Sequence, residues 1–196
     1  MGIKNLCYKY QKGAIKTAKE QQKKHNIVLV GFMGSGKTVI GRNVARILDY
    51  QFADTDEYIR DVTGMDLIKL FRKHGEIRFR SEEKLAISKL IGKEKSVIAC
   101  GGSLIPTQEC LDMLAADGFI VLLSAAPDII KSRLDRKSDR LMPGGRPNIK
   151  DINKMLQERE EVFRNVDHIS VDTGIMDVDE AAKFIAEEYQ KYLSAQ

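Results

Sequence analysis

Gly31-Phe32-Met33-Gly34-Ser35-Gly36-Lys37-Thr38 is the stretch that decides the fold. It fits the pattern G-x-x-x-x-G-K-[ST]. Residues 27–30, just before it, are Ile-Val-Leu-Val, a short apolar run suited to a buried strand. Residues 37–48, just after it, carry apolar side chains at helical spacing. A glycine-rich turn between a strand and a helix points backbone N–H groups at an anion, with the positive end of the helix dipole behind them. On this reading Gly34, Ser35 and Gly36 cradle the phosphates of a nucleoside triphosphate. Lys37 reaches the β- and γ-phosphates, and the Thr38 hydroxyl ligates Mg²⁺. The alternative is a plain strand-to-helix turn, and the matching flanks weigh against it.

The pattern repeats outward from this loop. Residues 51–53, 96–100, 119–123 and 168–171 read as further strands. Residues 55–62, 66–73, 76–91, 106–116, 128–136, 151–164 and 177–193 read as helices. Gly64 splits the second helix from the third, and Pro127 sits at the first position of its helix. Strands alternating with helices predict an α/β fold of three α/β/α layers, a parallel sheet covered on both faces. Residues 137–149 are rich in Lys, Arg, Gly and Pro and carry no period. They predict a loop that is long for so compact a domain.

The chain has 196 residues, 43% hydrophobic and 31% charged, which suits a single folded domain. No apolar run approaches the roughly 18–20 residues needed to span a bilayer, and no apolar secretory segment opens the chain. Cys7, Cys100 and Cys110 are odd in number and lack metal-site spacing, so neither a disulfide framework nor a zinc site is expected. A reducing cytoplasm is the expected compartment. The net charge is +4, but residues 1–26 hold seven lysines against Glu20. The basic balance therefore belongs to this extension, expected to be a solvated tail or a loosely docked helix, and not to the domain at 27–196. Aromatic stacking platforms are missing from the domain, so no nucleic-acid partner is expected, and no membrane partner.

Several charged residues follow predicted strands, where an open parallel sheet places its ligand crevice. Asp54-Thr55-Asp56 comes directly after residues 51–53. Asp54 can hold Mg²⁺ through the ion's water shell. Asp56 could take a proton from a substrate hydroxyl, or could merely cap the next helix. Arg80 and Glu83 lie three apart on one helix face, as a surface ion pair or as an arginine gripping a carboxylate while Glu83 orients it. Gly101-Gly102 ends a strand, either as a simple turn or as backbone amides near the crevice. The loop at 137–149 holds Lys137, Arg140 and Arg146. It could be a solvated loop, or a mobile lid that closes on the phosphates and brings in an arginine. Arg159, on the following helix, could reach inward or pair with neighbouring glutamates.

Taken in order, these pieces resemble the shikimate kinases over about residues 27–193. Gly31–Thr38 is similar to that family's phosphate loop in its wording, Asp54 and Asp56 match its D-x-D motif, and Gly75-Glu76 with Phe79-Arg80 and Glu83 matches G-E-x-x-F-R-x-x-E. The resemblance implies a P-loop kinase fold with five parallel strands and a mobile lid, ATP and Mg²⁺ as cofactors, and shikimate as acceptor. The implied product is shikimate 3-phosphate, on the route to chorismate and aromatic amino acids. It implies that Asp54 serves the metal and Asp56 binds a ring hydroxyl and acts as base. Arg80, Arg159 and the amides of Gly101-Gly102 would hold the acceptor's carboxylate, with Leu67, Phe71 and Phe79 walling its ring. Arg133 would lie near the adenine and Arg140 would act from the lid. A monomer is implied as well.

Three positions depart from the family pattern. Ser103 replaces the third glycine of a Gly-Gly-Gly motif. The lid reads Arg140-Leu-Met-Pro143, with Arg146-Pro147 a second candidate. Asp172-Thr173-Gly174 is followed by Ile175 and Met176 where a basic residue often covers the adenine. The first two departures keep a second reading in play, a kinase for another small polyol or hydroxy acid. A third, a nucleotide-binding protein without catalysis, conflicts with the presence of Lys37, Asp54, Asp56 and Arg80 together.

Overall fold

The computed structural model describes residues 8–11, 25–102, 106–136, 145, 147–166 and 168–195. Five strands, β2 (Asn26–Gly31), β3 (Gln51–Asp54), β4 (Ser96–Ala99), β5 (Gly118–Ser124) and β6 (His168–Asp172), form the parallel sheet expected from the sequence. Apart from the buried polar residues Asn26 and Ser96 at their starts, the central strands β2 and β4 are apolar because both their faces are covered. Every residue of β2 and β4 is buried.

Side chains alternate across the sheet with the two-residue period of a strand. Ile27 and Leu29 of β2 join Ile40 and Val44 of α1 (Lys37–Leu48) and Ile185 and Tyr189 of α7 (Val178–Ser194) in one core layer. Val28 and Val30 face the opposite layer, with Leu90 of α3 (Leu67–Ile91), Leu114 of α4 (Gln108–Asp117) and Phe163 of α6 (Ile149–Phe163). Gly41 lets α1 lie close on the sheet, since a Cβ there would stand 2.6 Å from the Phe52 ring. Helices α2 (Thr55–Thr63) and α5 (Pro127–Asp135) complete the set.

The strand order is β1-β6-β5-β2-β4-β3. The chain leaves β2 for β3 and β4 on one side and continues to β5 and β6 on the other. The switch point of the sheet therefore lies at the carboxyl end of β2, where such folds bind ligands.

Within the basic extension, the described residues 8–11 depart from the solvated tail or docked helix expected there. Residues Tyr8–Gln11 form β1, which pairs antiparallel with β6 from Tyr8↔Val171 to Gln11↔His168. The sheet thus gains a sixth strand. The physical reason is the open backbone edge that β6 would otherwise present.

The helices expected at 66–73 and 76–91 are both present within α3 and are parted by a kink at Gly75 (φ 77°, ψ 178°), a conformation that favours glycine. One boundary moved. Helix α6 starts at Ile149 rather than 151, because Asn148 caps it and Asp151 bonds back to the Asn148 N–H. The greater part of the expected lid, residues 137–144 and 146, lies outside the described residues.

Candidate active site

The phosphate loop sits between β2 and α1 as expected. Gly36 is the N-cap of α1 in the left-handed region (φ 96°), with no side-chain cap and no acidic residue in the first turn. The positive end of α1 is thereby left open to an anion. Lys37 Nζ donates to the carbonyls of Gly31 (2.8 Å) and Phe32 (3.0 Å), which holds its ammonium inside the loop. Ser35 is fully buried, and its hydroxyl is the buried side-chain polar atom left without a partner among the described residues. An uncapped helix end, a glycine cradle and a held cation fit a polyphosphate.

Thr38 Oγ1 donates to Asp54 Oδ2 at 2.9 Å. Asp54 Oδ1 accepts the Asp56 N–H at 3.0 Å, so Asp54 caps α2 as well as meeting Thr38. The cap is thus supplied by Asp54, and Asp56 is released from the capping role that its sequence position allowed. A hydroxyl and a carboxylate converging in this way suit a hard divalent cation that keeps part of its water shell.

Burial is the main cause that raises the Asp56 carboxyl to a pKa of about 6, and the Asp54 charge adds to it; Lys37 and Arg60 oppose the rise. The strand-end glycines explain how two charged side chains fit here. A Cβ on Gly101 would stand 2.5 Å from Asp56 Oδ1, and one on Gly102 would stand 2.6 Å from Lys37 Nζ. The Gly101 N–H donates to Thr55 Oγ1 at 2.8 Å, so this amide is already engaged within the protein.

The arginines divide. Arg133 Nη1 donates to Gly34 O (3.1 Å) and Thr173 Oγ1 (2.9 Å), and Nη2 donates to Thr173 O (2.7 Å). It bridges the phosphate loop to the turn after β6. Arg159 is 4% exposed, donates to Gly102 O at 2.9 Å and lies over the Phe32 ring at 4.7 Å. Burial lowers its pKa to about 10, which leaves it charged at neutral pH. Arg80 Nη1 donates to Glu83 at 2.9 Å, and its Nε lies 3.4 Å from Glu76. Burial raises the Glu83 pKa, and the Arg80 hydrogen bond and charge oppose it. Arg140, Arg146 and Ser103 lie outside the described residues.

A cavity of about 730 Å³ joins these parts. One end is walled by the phosphate loop, Val39, Arg133, Thr173, Met176 and Val178. The other is walled by Asp56, Arg60, Leu67, Phe71 and Phe79. Lys37, Thr38, Asp54 and Gly102 lie between them on the same cavity. Arg80, Gly101 and Arg159 do not line it; Gly101 and Arg159 line a much smaller neighbouring cavity with Thr55, Glu83 and Cys100. Sequence reasoning did not single out Arg60 or Val39; the signal for Arg60 was its place one helical turn after Asp56. Among the described residues no helix is long and apolar enough to cross a membrane, and no cluster of His, Cys, Asp and Glu could hold a metal ion by itself.

A polyphosphate cradle at the switch point of a parallel sheet, opening into a carboxylate-lined cavity, defines a P-loop phosphotransferase. The family model described as shikimate kinase matches residues 33–190. A shikimate kinase of Pelotomaculum thermopropionicum is 45% identical over 163 residues, 82% of this chain and 92% of the relative. The structure of a shikimate kinase from Acinetobacter baumannii in complex with shikimate covers 85% of this chain and 93% of its own, with a TM-score of 0.75 and 29% identity. A gluconokinase from Sinorhizobium meliloti shares the fold alone, with a TM-score of 0.53 and 19% identity. The chain belongs to the shikimate kinase family.

Proposed function

We propose that this chain transfers the γ-phosphoryl group of MgATP to the 3-hydroxyl of shikimate, giving shikimate 3-phosphate and ADP. The observation that carries this reading is the position of Asp56. Its carboxylate stands between the phosphate-loop cation Lys37, the Thr38–Asp54 pair and an apolar wall of Phe71 and Phe79, which suits a ring bearing hydroxyls.

Asp56 takes the proton of the attacking hydroxyl as its oxygen bonds to the γ-phosphorus and the bond to the ADP oxygen breaks. Thr38 and Asp54 would hold Mg²⁺, which would supply positive charge to offset that of the phosphates. Lys37 and the uncapped N-terminus of α1 stabilise charge on the transferring group. Arg133 steadies the nucleotide end by joining Gly34 to Thr173. Arg80, Arg159 and the Gly101-Gly102 turn support the acceptor end. We assign the catalytic domain to residues 27–196, acting as a monomer in the cytoplasm, with residues 137–149 as the lid and Arg140 as its arginine.

The test is steady-state ADP release by the purified full chain with MgATP, with and without shikimate. Shikimate-dependent turnover is the expected result. ATP binding without such turnover would overturn the acceptor assignment.

A further inference from the structure

The acceptor end of the cavity is lined by Asp56, Glu57 and Asp66, with Asp54 beside them toward the phosphate loop. An anionic acceptor must enter past these carboxylates. Of the cations that line the cavity among the described residues, Lys37 is held in the phosphate loop and Arg133 belongs to the nucleotide end. Arg60 is the one of these lining cations at the acceptor end.

Its surroundings set Arg60 apart from Arg80 and Arg159. Arg80 is engaged by Glu83, and Arg159 is buried against Gly102 O. Glu57 is held by Arg42 at 3.0 Å, and Asp66 caps the next helix through the Lys69 N–H. The Arg60 side chain is exposed and has no hydrogen-bond or ion-pair partner among the described residues. It lies four residues after Asp56 on α2, so the two share one helix face. A guanidinium in this position presents a planar fork suited to a carboxylate.

We propose that Arg60 is a further acceptor-binding residue: it captures the carboxylate of the incoming hydroxy acid at the mouth of the cavity, against the field of the surrounding acidic side chains. This rests on the acceptor assignment made above. A purely structural role also has a basis, since Arg60 occupies the last turn of α2, where a cation favours the negative helix end. The two roles separate in kinetics, because a helix-end charge alters stability and a capture residue alters acceptor KM.

The experiment measures KM for shikimate, KM for ATP and kcat in the full-length wild type, Arg60→Ala, Arg60→Lys and Arg60→Glu at low and high salt. Arg60→Ala should raise the shikimate KM about tenfold at low ionic strength, with much smaller changes in kcat and ATP KM. Arg60→Lys should recover only part of this, through its charge and without the fork, and Arg60→Glu should be worse than alanine. The gap should narrow at about 0.5 M salt, where screening shortens to a few ångströms. Thermal unfolding of each variant checks that it is folded, and Arg60→Gln substitutes for any variant that is not. An unchanged shikimate KM in folded Arg60→Ala, beside a wild type that turns over shikimate, overturns this inference alone. Equal changes in both KM values and kcat also overturn it. A wild type without shikimate turnover overturns the acceptor assignment and this inference together.

Discussion

The Arg159 guanidinium donates to the carbonyl of Gly102 at 2.9 Å, and the same carbonyl accepts the Met33 N–H at 3.2 Å. One backbone oxygen thus ties helix α6 to the end of β4 and to the phosphate loop. Replacing Arg159 with alanine removes a charge-assisted hydrogen bond and the packing on Phe32. The expected loss is about 2–4 kcal/mol of stability, read by urea unfolding, together with a raised shikimate KM. Lysine should recover little, since a single ammonium cannot hold Gly102 and cover the ring as the planar fork does.

Gly101 and Gly102 should fail in different ways. A methyl at Gly102 would meet Lys37 Nζ, the Met33 N at 2.8 Å and the Gly31 O at 2.9 Å. Two of these are backbone atoms with little room to move. Gly102→Ala should therefore weaken ATP binding and lower kcat together. A methyl at Gly101 would meet the Asp56 carboxylate. Gly101→Ala should spare ATP affinity and lower kcat. Nucleotide titration beside steady-state kinetics distinguishes the two patterns.

As the proposed base, Asp56 should govern the pH profile. Its carboxyl is raised to about 6 by burial, with the Asp54 charge adding and Lys37 and Arg60 opposing; Glu83 adds a smaller rise. If Asp56 is the base, its ionised form is the active one, so kcat/KM should fall as pH drops through that region. Mg²⁺ bound beside Asp54 would add positive charge and should move the limb to lower pH. Asp56→Asn should cut kcat by about 10²–10⁴-fold while leaving ATP binding close to normal.

Asp54 has two duties that two substitutions can part. Its carboxylate meets Thr38 and also caps α2. Asp54→Asn keeps an effective cap but loses the charge, so it should chiefly raise the Mg²⁺ concentration needed for half-maximal activity. Asp54→Ala should show the same metal defect and lose about 1 kcal/mol of stability. A Mg²⁺ titration and an unfolding curve for each variant check this.

The edge strand β1 should matter to stability more than to chemistry. Its four residues cover the outer edge of β6. Deleting residues 1–11 should lower stability by about 1–3 kcal/mol, read by chemical unfolding, with kcat close to that of the full chain.

Much of this architecture was legible because burial leaves a strong mark on composition. β2, β4 and β5 are apolar runs that only a doubly covered strand tolerates. The phosphate loop was legible because few residue types satisfy its backbone. β1 was not read, since Tyr8-Lys9-Tyr10-Gln11 gives only two cycles of alternation inside a lysine-rich segment, too short to outweigh the charge around it. Arg159 was legible as a candidate, but its burial against Gly102 and Phe32 depends on residues far away in sequence. Arg60 was invisible for a related reason: a lone arginine on an amphipathic helix reads as a solvated charge until the cavity beside it is known. The Gly101-Gly102 pair was seen as a source of amides, whereas its close approach to Asp56 and Lys37 emerges only in three dimensions.

The strand order divides the labour of the site by lineage of chain segment. Elements on the β5–β6 side of β2 furnish Arg133, Thr173, Met176 and Val178, while those on the β3–β4 side furnish Asp56, Arg60, Phe71 and Phe79. The Gly102 carbonyl, with Arg159 and Met33 on it, ties the two flanks together at the phosphate loop, so mutations elsewhere on one flank should disturb the other little. An altered acceptor preference should then draw on residues 54–102 and Arg159, with Arg133 and Thr173 inherited intact.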